Sequence, residues 1–141
     1  MSDVSESLRS LVIRRANGCC EYCLISQEDR LISFEVDHII ARKHGGKSEA
    51  DNLCFSCYQC NGHKGSDLSS VDWEGNEEIT PFYNPRKHRW IDHFRLNGAR
   101  IEPLTPEGRV TVFLLHFNDP ERIKERAVLS QLERYPCQTE A

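Results

Sequence analysis

No apolar run in this chain approaches the ~20 residues needed to cross a bilayer core, which argues against membrane insertion. Internal repeats and low-complexity tracts are missing too. A length of 141 residues then suits one compact domain with a modest core, small enough for a metal staple to add useful stability. The opening Met-Ser-Asp-Val-Ser-Glu lacks the basic-then-apolar layout of a secretory leader, so a reducing cytoplasm is the expected setting and disulfides are the weaker reading of the cysteines. A basic surplus is also lacking. With 18 Lys and Arg against 22 Asp and Glu, the formal charge is −4, whereas a nucleic-acid binder usually needs a basic surface to displace counterions from phosphates. Any such surface must be local.

Cysteine, by contrast, is abundant. There are seven, an odd number, and six of them fall between Cys19 and Cys60. Cys20-Glu21-Tyr22-Cys23 and Cys57-Tyr58-Gln59-Cys60 are C-x2-C knuckles, a spacing that lets two thiolates approach one tetrahedral Zn²⁺ while a second pair completes it. Cys19 with Cys23 and Cys54 with Cys57 have permissible spacings as well. Cys57 and Cys60 are favoured, because Cys54 sits within the apolar run Leu53-Cys54-Phe55 and reads as a small buried hydrophobe. A redox role is weaker still, since no βαβ context surrounds either knuckle. Four thiolates leave no open coordination position, so any chemistry must lie elsewhere.

Along the chain, Asp3 to Asn17 reads as an amphipathic helix, with Asp3 and Glu6 placed like a capping box and Gly18 as its stop. Residues 31–36 read as a strand, followed by an irregular stretch, a turn at His44-Gly45-Gly46 and a returning strand near Asn52-Leu53-Cys54-Phe55. A short helix is expected from Tyr58 to about Ser66. Residues 67–80 are acidic and turn-rich, suggesting a surface connection. Two strands are expected at Arg100–Leu104 and Arg109–Leu114, joined at Thr105-Pro106-Glu107-Gly108, and a final helix from about Asp119 to Arg134. The local basic surface is sought at residues 86–100, where Arg86, Lys87 and Arg89 could track phosphates and Trp90 could stack on a base or sugar. Its bland alternative is a solvated face whose aromatics serve the core.

Between and just after the knuckles stand Glu35-Val36-Asp37-His38-Ile39-Ile40, His44-Gly45-Gly46, Asp51-Asn52-Leu53 and Asn61-Gly62-His63-Lys64-Gly65. Here the chain resembles the HNH nuclease family over residues 18–66. The residue types suit phosphodiester hydrolysis, which needs a base near neutral pH and a cation to neutralise the transition state. His38 can be that base, since free imidazole titrates at about pH 6.5. Asp37 offers a hard oxygen and Asn61 a neutral one, as Mg²⁺ or Mn²⁺ prefers.

The resemblance implies that Asp37 and Asn61 hold the catalytic ion, that His38 activates water, and that Asn52 braces the loop carrying His38. It implies, too, that DNA is cut to leave 3′-hydroxyl and 5′-phosphate ends, with RNA the weaker substrate reading. Adjacent strand residues face opposite ways, so Asp37 and His38 can share one phosphate only if the chain is irregular there, and the resemblance implies such irregularity. Lys64 shares the helical face of Asn61 and is placed near phosphate, whereas His63 falls almost opposite and is the spare candidate.

The expected architecture is an α+β single domain over residues 1–141. It comprises a ββα-metal core stapled by structural Zn²⁺ at 18–66 and an extension at 67–141 with a β-hairpin and a helix. The competing reading is a non-catalytic zinc module that binds nucleic acid or protein through a vestigial site.

Overall fold

A computed structural model describes residues 4–139. Helix α1 spans Glu6–Ala16; Ser5 caps it, its Oγ accepting the Leu8 N–H at 3.2 Å. The proposed cap at Asp3 lies outside the described residues. At the far end Asn17 takes a left-handed conformation with φ 54°, and Gly18 follows at 73°. Val12 and Ala16 are buried against the core, and the Arg15 guanidinium donates to the carbonyls of Ala50 and Leu53 at 2.9 and 2.7 Å. The helix is thereby tied to the start of a strand.

That strand, β2 (Leu53–Ser56), pairs antiparallel with β1 (Glu35–His38) in the register Glu35↔Ser56, Val36↔Phe55, Asp37↔Cys54 and His38↔Leu53. The first strand therefore lies later than residues 31–36. Its four residues match the four of β2; Leu31 to Ser33 lie outside the pairing and stay exposed, and Phe34 is the first side chain to turn in, tilted against Phe55 at 5.4 Å. Regular pairing also runs through Asp37 and His38, where an irregular stretch was expected, and the irregularity begins only after His38. All of β2 is buried, and the chain turns at Cys57 into helix α2 (Tyr58–Lys64).

Residues 67–80 depart from a plain connection, because β3 (Ser69–Val71) and β4 (Ile79–Pro81) form a second antiparallel pair. Asp72, beside β3, takes a bidentate bond from Arg109 at 2.8 and 2.9 Å. One turn of helix, α3 (Trp90–His93), leads to a third pair, β5 (Phe94–Asn97) with β6 (Arg100–Pro103). The expected C-terminal hairpin thus exists one segment earlier. Residues 109–114, read as its second strand, belong instead to helix α4 (Pro106–Leu114). Thr105 caps that helix through Oγ1 to the Gly108 N–H at 3.0 Å, and Pro106 sits in its first turn, where its missing N–H costs nothing. Helix α5 (Pro120–Gln131) follows.

One apolar cluster joins Val12, Phe34, Leu53, Phe94, Ile101, Leu115 and Phe117, and the knuckle cysteines form part of it. The tail returns to the first knuckle: Tyr135 donates its hydroxyl to the Cys23 carbonyl at 2.7 Å, the Cys137 N–H reaches the Leu24 carbonyl at 2.9 Å, and Cys137 is disulfide-bonded to Cys19. This corrects the weaker standing given to disulfides for Cys19 and Cys137, while Cys54 is a free, buried thiol. Among the described residues no helix is long and apolar enough to cross a membrane.

Candidate active site and metal centre

Cys57 opens α2 as its N-cap, its sulfur accepting the Cys60 N–H at 3.4 Å, so the second knuckle and the helix start are one structure. The first knuckle hangs from α1 through the Asn17-Gly18 turn. Together they place the sulfurs of Cys20, Cys23, Cys57 and Cys60 within 4.8 Å of one another, all buried, with Cys23 and Cys57 3.8 Å apart. Four sulfurs about 2.3 Å from a tetrahedral zinc would stand about 3.8 Å apart, so the cluster has the size and chemistry of such a site. The register ambiguity closes here. Cys19 is in the disulfide, and Cys54 is fully buried beneath the Tyr22 hydroxyl, 3.6 Å away, where burial pushes its thiol up.

A buried guanidinium completes the centre. Arg122, on α5, donates to Cys60 Sγ at 3.2 Å and approaches Cys57 Sγ at 3.9 Å, while its other nitrogen holds the carbonyls of Leu115 and His116. Burial works against its charge, yet thiolate at Cys60, Cys23 and Cys57 raises its pKa above the ordinary arginine value. A cation set against a cluster of thiolates offsets their charge. The sequence reading passed over Arg122. Its signal was present in Arg122 and Arg126, four apart on the helix face that should have been apolar, and both are buried.

Asp37 and His38 leave β1 beside α2. Asp37 Oδ2 is buried and has no hydrogen-bond partner, with the Lys64 ammonium 3.4 Å away. Burial raises the Asp37 carboxyl above its usual value, while Lys64 and His38 pull it back. Lys64 itself is almost wholly buried, its Nζ donating to the His38 carbonyl at 3.2 Å. It therefore anchors the Asp37–His38 pair and has no free surface for the phosphate contact expected of it. Asn61, three residues earlier on α2, shares that helix face and is half-buried.

The His38 ring lies with Nε2 2.9 Å from Ser48 Oγ, a partner the sequence reading missed. Asn52 clamps the intervening loop: its Oδ1 accepts the Ile40 N–H at 2.9 Å, and its amide donates to the carbonyls of Ile40 and Lys47 at 3.0 Å each. Gly46 is required in that clamp, because a Cβ there would collide with the Ile40 carbonyl. The loop also exposes Lys43 and Lys47, cations recognisable in sequence only as part of a turn. His44 bonds the Ser66 carbonyl at 3.1 Å and belongs to the turn.

The basic segment divides. Arg86 is ion-paired with Glu21, whose other oxygen accepts the Phe55 N–H at 2.8 Å, and Trp90 donates its indole N–H to the Tyr22 carbonyl at 2.8 Å while packing on Phe94. Both serve the core. Lys87 and Arg89 are exposed.

The knuckles, Asp37, His38, Asn52 and Asn61 all lie in one contiguous stretch. Residues 20–67 match the HNH endonuclease family model. This HNH segment is about a third of the chain and points to nuclease-type chemistry. Over 118 residues the chain is also 24% identical to the Septu protein PtuB of Bacillus thuringiensis, covering 82% of this chain and 43% of that relative. The chain thus spans less than half the length of the relative it matches. No solved structure matches.

Proposed function

We propose that this protein is a metal-dependent endonuclease that hydrolyses DNA phosphodiester bonds, with β1, β2 and α2 acting as a ββα-metal core. The observation that carries the reading is the buried Asp37 carboxylate, whose Oδ2 makes only a 3.4 Å ion pair with Lys64, one residue from a histidine whose ring is held by a hydroxyl. A desolvated carboxylate whose one close neighbour is a 3.4 Å ammonium keeps lone pairs that a metal cation could use. The Asp37 carboxylate and the Asn61 amide oxygen would hold Mg²⁺ or Mn²⁺, and the ion, when bound, supplies charge neutralisation at the scissile phosphate. The four cysteines would hold structural Zn²⁺, which fixes where α2 begins and so where Asn61 sits.

The remaining steps belong to the chain. His38, donating through Nε2 to Ser48, keeps Nδ1 free to take the proton of the attacking water. Asn52 holds the loop so that Ser48 meets the ring. Lys64 fixes the backbone at His38 and keeps positive charge against Asp37. Lys43 and Lys47, with Lys87 and Arg89, are the exposed cations proposed to meet the strand, whereas Arg86 and Trp90 support the floor of the site.

A plasmid-nicking assay with Mg²⁺ or Mn²⁺ tests this. His38→Ala should cut at least about 100-fold more slowly than wild type, the lower end of what a positioned base contributes. Equal cutting by both proteins overturns the assignment of the base. Failure of zinc-loaded wild type to cut DNA or a matched RNA favours the non-catalytic zinc module, and preferential cutting of the RNA replaces the substrate.

A further inference from the structure

Three side chains outside this machinery converge on the opposite side of α2. His63 stacks on His116, which lies in the turn between α4 and α5, with ring centroids 4.1 Å apart and planes 20° apart. His116 Nδ1 is 3.3 Å from Asp119 Oδ1. One donor atom from each of the three lies within 4.8 Å of the other two.

The turn that ends α4 presents two of these side chains. His116 has φ 55°, a left-handed position where glycine is the ordinary occupant. Asp119 stands at the N-cap of α5, where a carboxylate normally accepts a backbone N–H, yet its side chain makes no capping bond and turns towards His116. Neutral imidazole is the ligating form.

We propose that His63, His116 and Asp119 bind one borderline divalent ion of the Zn²⁺, Co²⁺ or Ni²⁺ class. Two imidazoles and a carboxylate suit such ions, whereas Mg²⁺ and Ca²⁺ favour all-oxygen shells. Three protein ligands leave a coordination position for water. The ion would clamp α2, within the HNH segment, to the α4–α5 turn outside it. Arg122 lies between the two metal centres, holding the His116 carbonyl as well as the Cys60 sulfur.

The test is a Co²⁺ titration of the zinc-loaded protein, comparing wild type with His116→Gly. Glycine suits the backbone at this position, so the variant should fold and melt no lower than wild type without added ion. Wild type should bind about one equivalent more Co²⁺ than the variant, with weak d–d bands and no sulfur-to-metal charge transfer, as nitrogen and oxygen ligands require. Any ion taken up near Asp37 is common to both proteins and cancels, so the result is independent of the nuclease reading. Equal uptake by the two proteins, or extra uptake with thiolate bands, overturns the site. Should His116→Gly prove unstable, the exposed His63→Ala variant takes its place under the same criteria.

Discussion

Arg122 is the residue on which the cysteine centre most depends beyond its own ligands. Its guanidinium is buried, donates to Cys60 Sγ, and faces the charge that deprotonated cysteines accumulate. Arg122→Met keeps much of the volume while removing both the donor and the cation, and groups that support metal ligands in this way are typically worth 10–100-fold in affinity. We expect release of zinc to a colorimetric chelator to show an affinity lower by about 10–100-fold. Unchanged retention would mean that the thiolates need no countercharge. Much of the candidate site was legible from residue type and spacing: Asp37, His38, Asn52 and Asn61 lie in one motif, and the paired knuckles assemble. What escaped was reach. Ser48 meets His38 from ten residues away, and Arg122 meets Cys60 from 62 residues away. Lys64 was placed on the correct helix face, but burial against Asp37 cannot be read from that face alone.

Helix α4 shows why the second half of the chain was harder to read than the first. Val110-Thr111-Val112-Phe113 has strand-forming composition, yet Thr105-Pro106-Glu107 caps a helix, and the core accepts Val110 and Thr111 on one side of it. Cap and packing together outweigh a local preference worth only tenths of a kcal/mol per residue. Gly108, taken in sequence for a turn residue, is instead where α4 passes close to the His93 carbonyl; a Cβ there would collide with that backbone oxygen. Gly108→Ala should therefore destabilise by about 1–3 kcal/mol through overpacking, despite alanine's better helix propensity, and a urea midpoint checks it. The β3–β4 pair depends on α4 in turn, through Asp72 and Arg109. Arg109 holds the Asp72 carboxyl below its ordinary value, so the stabilisation is present above the unfolded carboxylate pKa, about 3.9, and is lost as pH falls through the lower folded value. Asp72→Asn should lower stability at neutral pH and flatten the acid limb of the stability curve. An acid limb as steep as that of wild type would show that the pair does not control that transition.

Charge distinguishes two ways in which the folded chain could approach DNA. A net charge of −4 repels a polyanion, and the 67–80 segment carries five of the 22 acids, yet the loop after His38 exposes Lys43 and Lys47, and the segment before α3 exposes Lys87 and Arg89. If these local cations carry the contact, binding must be steeply salt-dependent, because each neutralised phosphate releases about 0.9 of a condensed counterion from duplex DNA. Repulsion from the rest of the surface is screened over the same range of ionic strength but releases no ions, so it changes the intercept more than the slope. Lys43→Ala with Lys47→Ala should thus reduce the slope of log Kd against log salt by about 2, and Lys87→Ala with Arg89→Ala by a further ~2 if that segment also touches the backbone. Measurements in a His38→Ala background without added Mg²⁺ or Mn²⁺ are chosen to keep the DNA intact. A slope unchanged by the first pair would remove the β1–β2 loop from the interface and would require the strand to reach His38 from another side.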